Sequence, residues 1–103
     1  MRPIHLAQLD KVRPVLILTR EVVRPHLANV TVAPITTMIR GLSTELPVGV
    51  ANGLRLPSVV SCDDVATTPA GALGARIGVL LDRQEEMLSA AIRAAFDLDL
   101  TSW

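Results

Sequence analysis

The sequence predicts a mainly β fold in which five or six short antiparallel strands curl into a small sheet or barrel, followed by one C-terminal helix. Two observations support this fold class. Short apolar runs recur between turn residues such as Asn52–Gly53, and after Asp82 the apolar residues change to a helical period. With 103 residues and no repeat or linker, the chain has the length of one domain, residues 1–103.

The first two predicted strands lead to the most informative part of the chain. Pro3–Leu9 alternates imperfectly and is predicted to be an edge strand, whereas the unbroken apolar run Val15–Thr19 suits a strand covered on both faces. Pro14 cannot donate to a ladder, so we expect it at the first position of that strand. Arg13 would then lie where the chain leaves the core. The later predicted strands are Asn29–Ile35, Thr44–Val50, Ser58–Val65 and Arg76–Leu81.

Residues typical of turns and of helix ends predict the connections and the helix. Pro34 predicts an edge position or a bulge near the end of the third strand, and Asn52–Pro57 is a turn. Pro69–Leu73 reads as a helical turn. The helix is predicted at about Arg83–Phe96, with Asp82 and Glu85 at the spacing of a capping box.

Composition limits the class of protein. Half of the residues are hydrophobic, more than so small a domain can bury, so we expect a homo-oligomer or a permanent protein partner. No apolar run is long enough for a membrane helix, and no secretory signal is recognisable. The single Cys62 gives no disulfide framework and favours a cytoplasmic location.

The charges favour an anionic partner. Residues 1–55 carry seven basic and three acidic residues, whereas residues 56–103 carry three basic and seven acidic ones. Nine of the ten basic residues are arginine, the side chain best suited to phosphate. Phe96 and Trp103 are the only aromatic residues, which excludes modules that stack bases on several rings. A bound RNA would be held through phosphates, sugars and polar base edges.

Few residues of the sequence are candidates for catalysis or for metal binding. The sequence contains neither a metal-ligand pattern nor a glycine-rich phosphate loop. A nucleophilic Cys62 with His5 or His26 as its base is an alternative, although a lone cysteine in an apolar strand more often belongs to the core.

The remaining candidates are Arg13, Thr36 and Thr37. If the second and third predicted strands pair antiparallel, Arg13 lies next to Thr36. A guanidinium beside a hydroxyl can clamp one phosphodiester and stabilise charge on a five-coordinate phosphorus. In RNA the 2′-hydroxyl is the nucleophile, so this chemistry requires neither a metal nor a protein nucleophile. The simpler alternative is that Arg13 is a surface charge and the threonines satisfy turn backbone.

Three segments carry a resemblance. VRPVLIL at Val12–Leu18, VAPITT at Val32–Thr37 and PSVVSCDDVATT at Pro57–Thr68 resemble the MazF/PemK family of bacterial toxins, in particular mycobacterial-type members, over roughly residues 1–97. The resemblance implies an SH3-like barrel with a C-terminal helix, acting as a homodimer with a basic groove. It also implies metal-independent cleavage of single-stranded RNA to 2′,3′-cyclic phosphate and 5′-hydroxyl ends, no cofactor, and inhibition by a cognate antitoxin.

The resemblance also assigns roles. Arg13 would stabilise the phosphorane and assist proton transfer, and Thr36 would hold the scissile phosphate. We further expect RNA contacts from Lys11, Thr37, Arg40 and Asp64.

Two departures from the family matter. The first strand lacks a Gly-Asp pair, and the loop before Arg13 is reduced to Asp10–Val12, which leaves the general base unassigned. Asp63–Asp64 stands where relatives often carry an amide at the second position; one carboxylate could accept hydrogen bonds from a base, or both could be solvated charges. The alternative function is that of toxins with this barrel that poison DNA gyrase through C-terminal residues, a contact that Trp103 would suit.

Overall fold

The computed structural model describes residues 1–98, which form seven antiparallel strands and one α-helix. The elements are β1 (Pro3–Gln8), β2 (Val12–Ile17), β3 (Asn29–Thr36), β4 (Glu45–Val48), β5 (Ser58–Ser61), β6 (Ala66–Pro69), β7 (Leu73–Val79) and α1 (Glu85–Phe96). The strands pair in the order β4-β5-β3-β2-β1-β7, and β6 pairs with β3. The predicted fold class is confirmed, with seven strands rather than five or six.

The additional strand comes from a segment that was predicted to be one continuous strand. Ser58–Val65 is not one strand, because the 3-10 turn Cys62–Asp64 interrupts it after β5. The amide of Cys62 donates to the carbonyl of Thr44 at 3.0 Å, so the pairing with the chain before β4 extends one residue into this turn. β6 follows, and its short, mostly exposed sequence ATTP gives no strand signal of its own.

The predicted place of β1 in the sheet and the predicted place of Pro14 in its strand are both wrong. β1 is not an edge strand, because β2 and β7 pair with it on either side. β2 begins at Val12, so Pro14 is its third residue. Pro14 nevertheless precedes the first pair of the β2–β3 ladder, Val15 opposite Pro34, a position that a residue without an N–H tolerates.

Strand β3 belongs to both parts of the sheet. Its first half, as far as Val32, pairs with β6, and its last residues, Ile35 and Thr36, pair with β5. The predicted edge position is wrong, because β2 pairs with β3 at Pro34; on the other side of β3, Pro34 lies where the partner strand changes from β6 to β5.

Two buried clusters lie on opposite faces of β2 and β3. The main core contains Leu16 and Ala33 and packs against Leu88 and Ala91 of α1. The smaller cluster includes Val15 and Val32. Successive residues of each strand therefore face different clusters.

Helix α1 begins two residues later than predicted, after the 3-10 turn Asp82–Gln84. The predicted capping role of Asp82 is wrong: the side-chain oxygen of Gln84 accepts the amide of Leu81 at 2.9 Å instead. The helix ends at Phe96, as predicted, and Asp97 adopts a left-handed conformation with φ of 55°. In the part of the chain that the structure describes, no helix has the length and apolarity to cross a membrane.

The predicted Asn52–Gly53 turn rests on β7. Asn52 is buried and donates to the carbonyl of Val79 at 3.0 Å and to Gln84 Oε1 at 2.6 Å, while accepting the amide of Gly49 at 3.1 Å. Gly53 has φ of 87°, and a Cβ there would overlap the carbonyl oxygen of Ile77. The turn is therefore fixed in place.

Candidate active site

Arg13 and Thr36 lie across from each other at one end of the sheet. Val15 pairs with Pro34 and Leu16 with Ala33, and continuing this register places Arg13 opposite Thr36, with Cβ atoms about 5 Å apart. Both side chains line one cleft of about 410 Å³, here called the polar cleft. The antiparallel pairing expected from the sequence therefore brings the two together.

Most of the other expected site residues join them. Lys11, Arg40 and Asp64 also line the polar cleft. Its remaining lining residues are Met38, Leu42, Glu45, Ser61 and Asp63, of which only Asp63 was considered in the sequence, as a carboxylate that could contact a base.

Arg13 is held by the shortened loop that precedes it. Its Nη2 donates to Asp10 Oδ2 at 3.0 Å, and its Nε is buried with no hydrogen-bond partner among residues 1–98. Desolvation opposes ionisation of Asp10, but the amide of Lys11 and the guanidinium of Arg13 outweigh it and lower the pKa of the Asp10 carboxyl. Asp10 thus orients Arg13 as a carboxylate, and the Nε–H remains a donor without an acceptor.

Thr36 presents its hydroxyl at the end of β3. Its Oγ1 accepts the backbone N–H of Met38 at 3.1 Å. Because this bond uses a lone pair, the hydroxyl proton remains available for an acceptor in the cleft. Arg13 and Thr36 therefore offer donors of the kind that a phosphate requires.

A tight turn carries Arg40 to the rim of the polar cleft. The backbone amides of Arg40 and Leu42 both donate to Glu45 Oε1, at 3.0 and 3.2 Å, and Gly41 between them has φ of 74°. Glu45 thus stabilises the turn. No local pattern in the sequence identified it, because its partners are backbone amides.

Two further carboxylates follow β5. Asp63 Oδ2 accepts the hydroxyl of Thr44 at 2.6 Å, and Asp64 Oδ2 accepts that of Ser61 at 2.8 Å. Glu45 is the third acidic residue of the cleft. The acidic side chains are therefore as many as the basic ones, Lys11, Arg13 and Arg40. Within one chain the polar cleft is therefore balanced in charge, whereas the basic groove was expected across two subunits, and the fixed carboxylates offer acceptors to base amino groups.

Thr37 does not join this group. It is the first residue after β3 and lines a second cleft of about 460 Å³, here called the barrel-mouth cleft. Pro14 and Leu6 line it as well, on the face of the sheet that Arg13 and Thr36 do not share. The alternation of side chains along an extended strand separates the two threonines.

Cys62 cannot act as the alternative nucleophile. It is 1% exposed within the main core, and burial, together with the charge of Asp63, raises its thiol pKa to about 11. His5 Nδ1 is engaged with the carbonyl of Gly74 at 3.0 Å. Among residues 1–98, no group of three or more histidine, cysteine, aspartate or glutamate side chains is arranged to hold a metal ion.

Comparison with known proteins decides the family. A family model described as the PemK-like, MazF-like toxin of type II toxin–antitoxin systems matches residues 3–96. The chain belongs to this toxin family.

Relatives within the family are close. Endoribonuclease MazF3 of Mycobacterium tuberculosis is 70% identical over 99 residues, which cover 96% of each chain. The solved structure of the Mycobacterium tuberculosis toxin MazF-mt6 has 69% identity and a TM-score of 0.94, over 95% of this chain and 99% of that one. The resemblance drawn from the three sequence segments is therefore confirmed.

A distant structure extends the likeness in fold. An endoribonuclease solved in complex with its cognate antitoxin, from a mycobacterial species, is 22% identical with a TM-score of 0.85, over 94% of this chain and 93% of that one. At this identity the likeness shows the shared toxin fold, a curled antiparallel sheet with a C-terminal helix.

Proposed function

We propose that this chain is the endoribonuclease toxin of a type II toxin–antitoxin pair and cuts single-stranded RNA without a metal ion. The observation that carries the proposal is the pairing of Arg13, with its unpartnered Nε–H, and Thr36, with its free hydroxyl proton, in the polar cleft. The endoribonuclease name of the 70% identical relative supports the same activity.

The reaction needs the RNA, these donors and water, but no nucleophile from the protein. The 2′-oxygen attacks the adjacent phosphorus as its proton passes to water, and the bond from phosphorus to the 5′-oxygen breaks as that oxygen takes a proton from water. The products are a 2′,3′-cyclic phosphate and a 5′-hydroxyl. Arg13 donates to the non-bridging oxygens, where charge accumulates in the five-coordinate transition state, and assists proton transfer, while Thr36 holds the phosphate.

The other cleft residues would position the RNA. Lys11 and Arg40 supply positive charge for neighbouring phosphates, and Asp64, fixed by Ser61, accepts hydrogen bonds from a base amino group. The carboxylates would disfavour the binding of RNA whose bases cannot donate hydrogen bonds to them. Sequence preference would thus come partly from acidic side chains.

The test is cleavage of a long RNA in excess chelator. We expect discrete fragments whose 5′ ends accept phosphate from a kinase without prior dephosphorylation and whose 3′ ends carry a cyclic phosphate. The matched control is Arg83→Ala, an exposed arginine that lines neither cleft, which should cut like the wild type. Intact RNA with the wild-type chain, or cutting only when a divalent metal is added, contradicts the proposal.

The proposed partners are a second copy of the chain and an antitoxin. Large apolar side chains are exposed, among them Val12, Met38 and Phe96, which suits a homodimer. Light scattering should then report twice the chain mass of 11.0 kDa. The antitoxin complex of the fold relative supports a cognate antitoxin that binds this chain and blocks cleavage.

The remaining expectations fit the same proposal. The family match over residues 3–96 supports one toxin domain spanning residues 1–103, acting on cellular RNA in the cytoplasm. The gyrase alternative is not supported, because relatives at 70% and 34% identity both carry endoribonuclease names. Trp103, on which that alternative depended, lies outside the described residues.

A further inference from the structure

The barrel-mouth cleft has no role in the reaction described above, yet it adjoins the polar cleft. Thr36 lines one cleft and Thr37 lines the other, so a single peptide unit at the end of β3 separates them. A nucleic acid strand bound at Thr36 reaches the barrel-mouth cleft when it passes around the end of β3 from one face of the sheet to the other.

The cleft has the shape and lining of a site for a planar, mostly apolar group. Its floor consists of Leu6, Pro14, Leu54 and Ile77, which are buried or half-buried. Its volume of about 460 Å³ lies in the range of small-molecule sites and exceeds the needs of one nucleobase. Aliphatic side chains can cover both faces of a base without aromatic rings, and none of the residues that line this cleft is aromatic.

The rim supplies polar and charged groups. Arg55 and Thr37 are exposed at the edge of the cleft, beside Leu56, which is 59% exposed. Ser58 also lines it, and its hydroxyl donates to the carbonyl of Leu56 at 2.9 Å, so its oxygen remains an acceptor. A guanidinium suits the outer phosphate of a nucleotide, and hydroxyls suit the edge of its base.

One wall of the cleft is rigid. Gly53 lines it in a left-handed conformation against the carbonyl of Ile77, and the neighbouring Asn52 is fixed by four side-chain hydrogen bonds. Little ordering is therefore needed when a ligand enters, which favours discrimination between ligands of different shape.

We propose that the barrel-mouth cleft is a specificity subsite that receives the base of one nucleotide next to the scissile phosphate, with Arg55 contacting the phosphate beyond it. This inference rests on the proposed ribonuclease function. It assigns Thr37, Arg55 and Leu56 to the choice of target sequence rather than to the chemical step.

The test measures base preference at each position around the cut. A randomised RNA library is cleaved by the wild-type chain and by Leu56→Ser, Arg55→Ala and Thr37→Val, and the fragment ends are sequenced. Val22→Ser is the matched control for an exposed apolar side chain, and Arg83→Ala for an exposed arginine.

We expect the variants of Leu56 and Thr37 to weaken base preference about tenfold at one position flanking the cut and to leave the other positions unchanged. Arg55→Ala should raise KM with little change in kcat. The two control variants should reproduce the wild-type profile.

A variant profile identical to that of the wild type, with cleavage intact, overturns the subsite and leaves the nuclease in place. A uniform loss of rate at all sequences in the Leu56 and Thr37 variants also overturns it, because that result assigns these two residues to catalysis or folding. Absence of cleavage by the wild-type chain overturns both the function and the subsite.

Discussion

Replacing Arg13 with alanine should remove most of the catalytic power and little of the stability. The guanidinium forms an ion pair with Asp10, whose side chain is 72% exposed, so solvent screens the pair and it contributes little to folding. The Nε–H, by contrast, is buried and has no partner in the described chain, so it is free to act on a transition-state oxygen.

The size of the catalytic loss follows from what each variant retains. Removing one preorganised donor at an oxyanion typically costs 10² to 10³ in rate, and removing a charged arginine costs about 10³ to 10⁵. We therefore expect Arg13→Ala to lose about 10³-fold or more in kcat. Arg13→Lys keeps the charge but loses the planar fork, and should lose roughly 10²-fold.

The assay is single-turnover cleavage of one oligonucleotide containing a mapped site, at saturating enzyme. Urea unfolding of each variant reports whether the fold is kept, and Arg83→Ala serves as the control for loss of one exposed arginine. If Arg13→Ala cuts within tenfold of the wild-type rate while folded, Arg13 does not stabilise the transition state and the proposed chemistry is wrong.

Four other predictions test separate parts of the structure. Thr36→Val should lower kcat about 10²-fold with the fold intact, because the hydroxyl donor is lost; the measurement is the same single-turnover assay. Asn52→Ala should lower the free energy of unfolding in urea by about 3 kcal/mol, since buried hydrogen-bonding groups lose their partners. Asp97→Gly should raise the free energy of unfolding by about 0.5–1 kcal/mol, because glycine accepts the left-handed conformation and removes a negative charge from the C-terminal end of α1. The pKa of Cys62 is raised from 9.0 to about 11, so the native state retains a proton that the unfolded chain loses, and stability should fall by about 2 kcal/mol between pH 9 and 11; Cys62→Ala should lack this part of the fall.

Each of these has a result that would contradict it. Unchanged cleavage by Thr36→Val would mean that the Thr36 hydroxyl does not hold the phosphate. A loss below about 1 kcal/mol for Asn52→Ala would mean that water replaces its partners. A destabilised Asp97→Gly would mean that the aspartate makes a compensating contact, and equal alkaline destabilisation of the wild type and Cys62→Ala would place the titrating group elsewhere.

The central pair of the site could be predicted because it depends on local rules. An arginine before a proline and a buried run marks the start of a strand, and a threonine after an apolar strand marks an end. Antiparallel pairing then brings Arg13 and Thr36 together without knowledge of the rest of the fold. The helix was equally predictable, because its period is local.

The sequence also contained a signal that was not used. Adjacent residues at the end of a strand point to opposite faces, so Thr36 and Thr37 could not both face one phosphate. The alternation of side chains along a strand therefore already excluded Thr37 from the cleft that contains Thr36.

What could not be predicted depends on contacts between distant parts of the chain. β6 has no apolar alternation and exists because β3 pairs with it. Glu45 enters the polar cleft, beside Asp63, because the start of β4 and the end of β5 come together in three dimensions. The local sequences around these residues are compatible with ordinary solvated charges.

The position of Arg13 and Thr36 just beyond the β2–β3 ladder has a consequence for how the family can diverge. Because strand register, rather than the connecting loops, sets the separation of Arg13 and Thr36, insertions or deletions before Lys11 or after Thr37 leave the pair in place. Loss or gain of one residue between Arg13 and Val15 would instead turn the guanidinium to the opposite side of the sheet. Natural length variation should therefore collect in the loops, where it changes which RNA is admitted while preserving the cut itself.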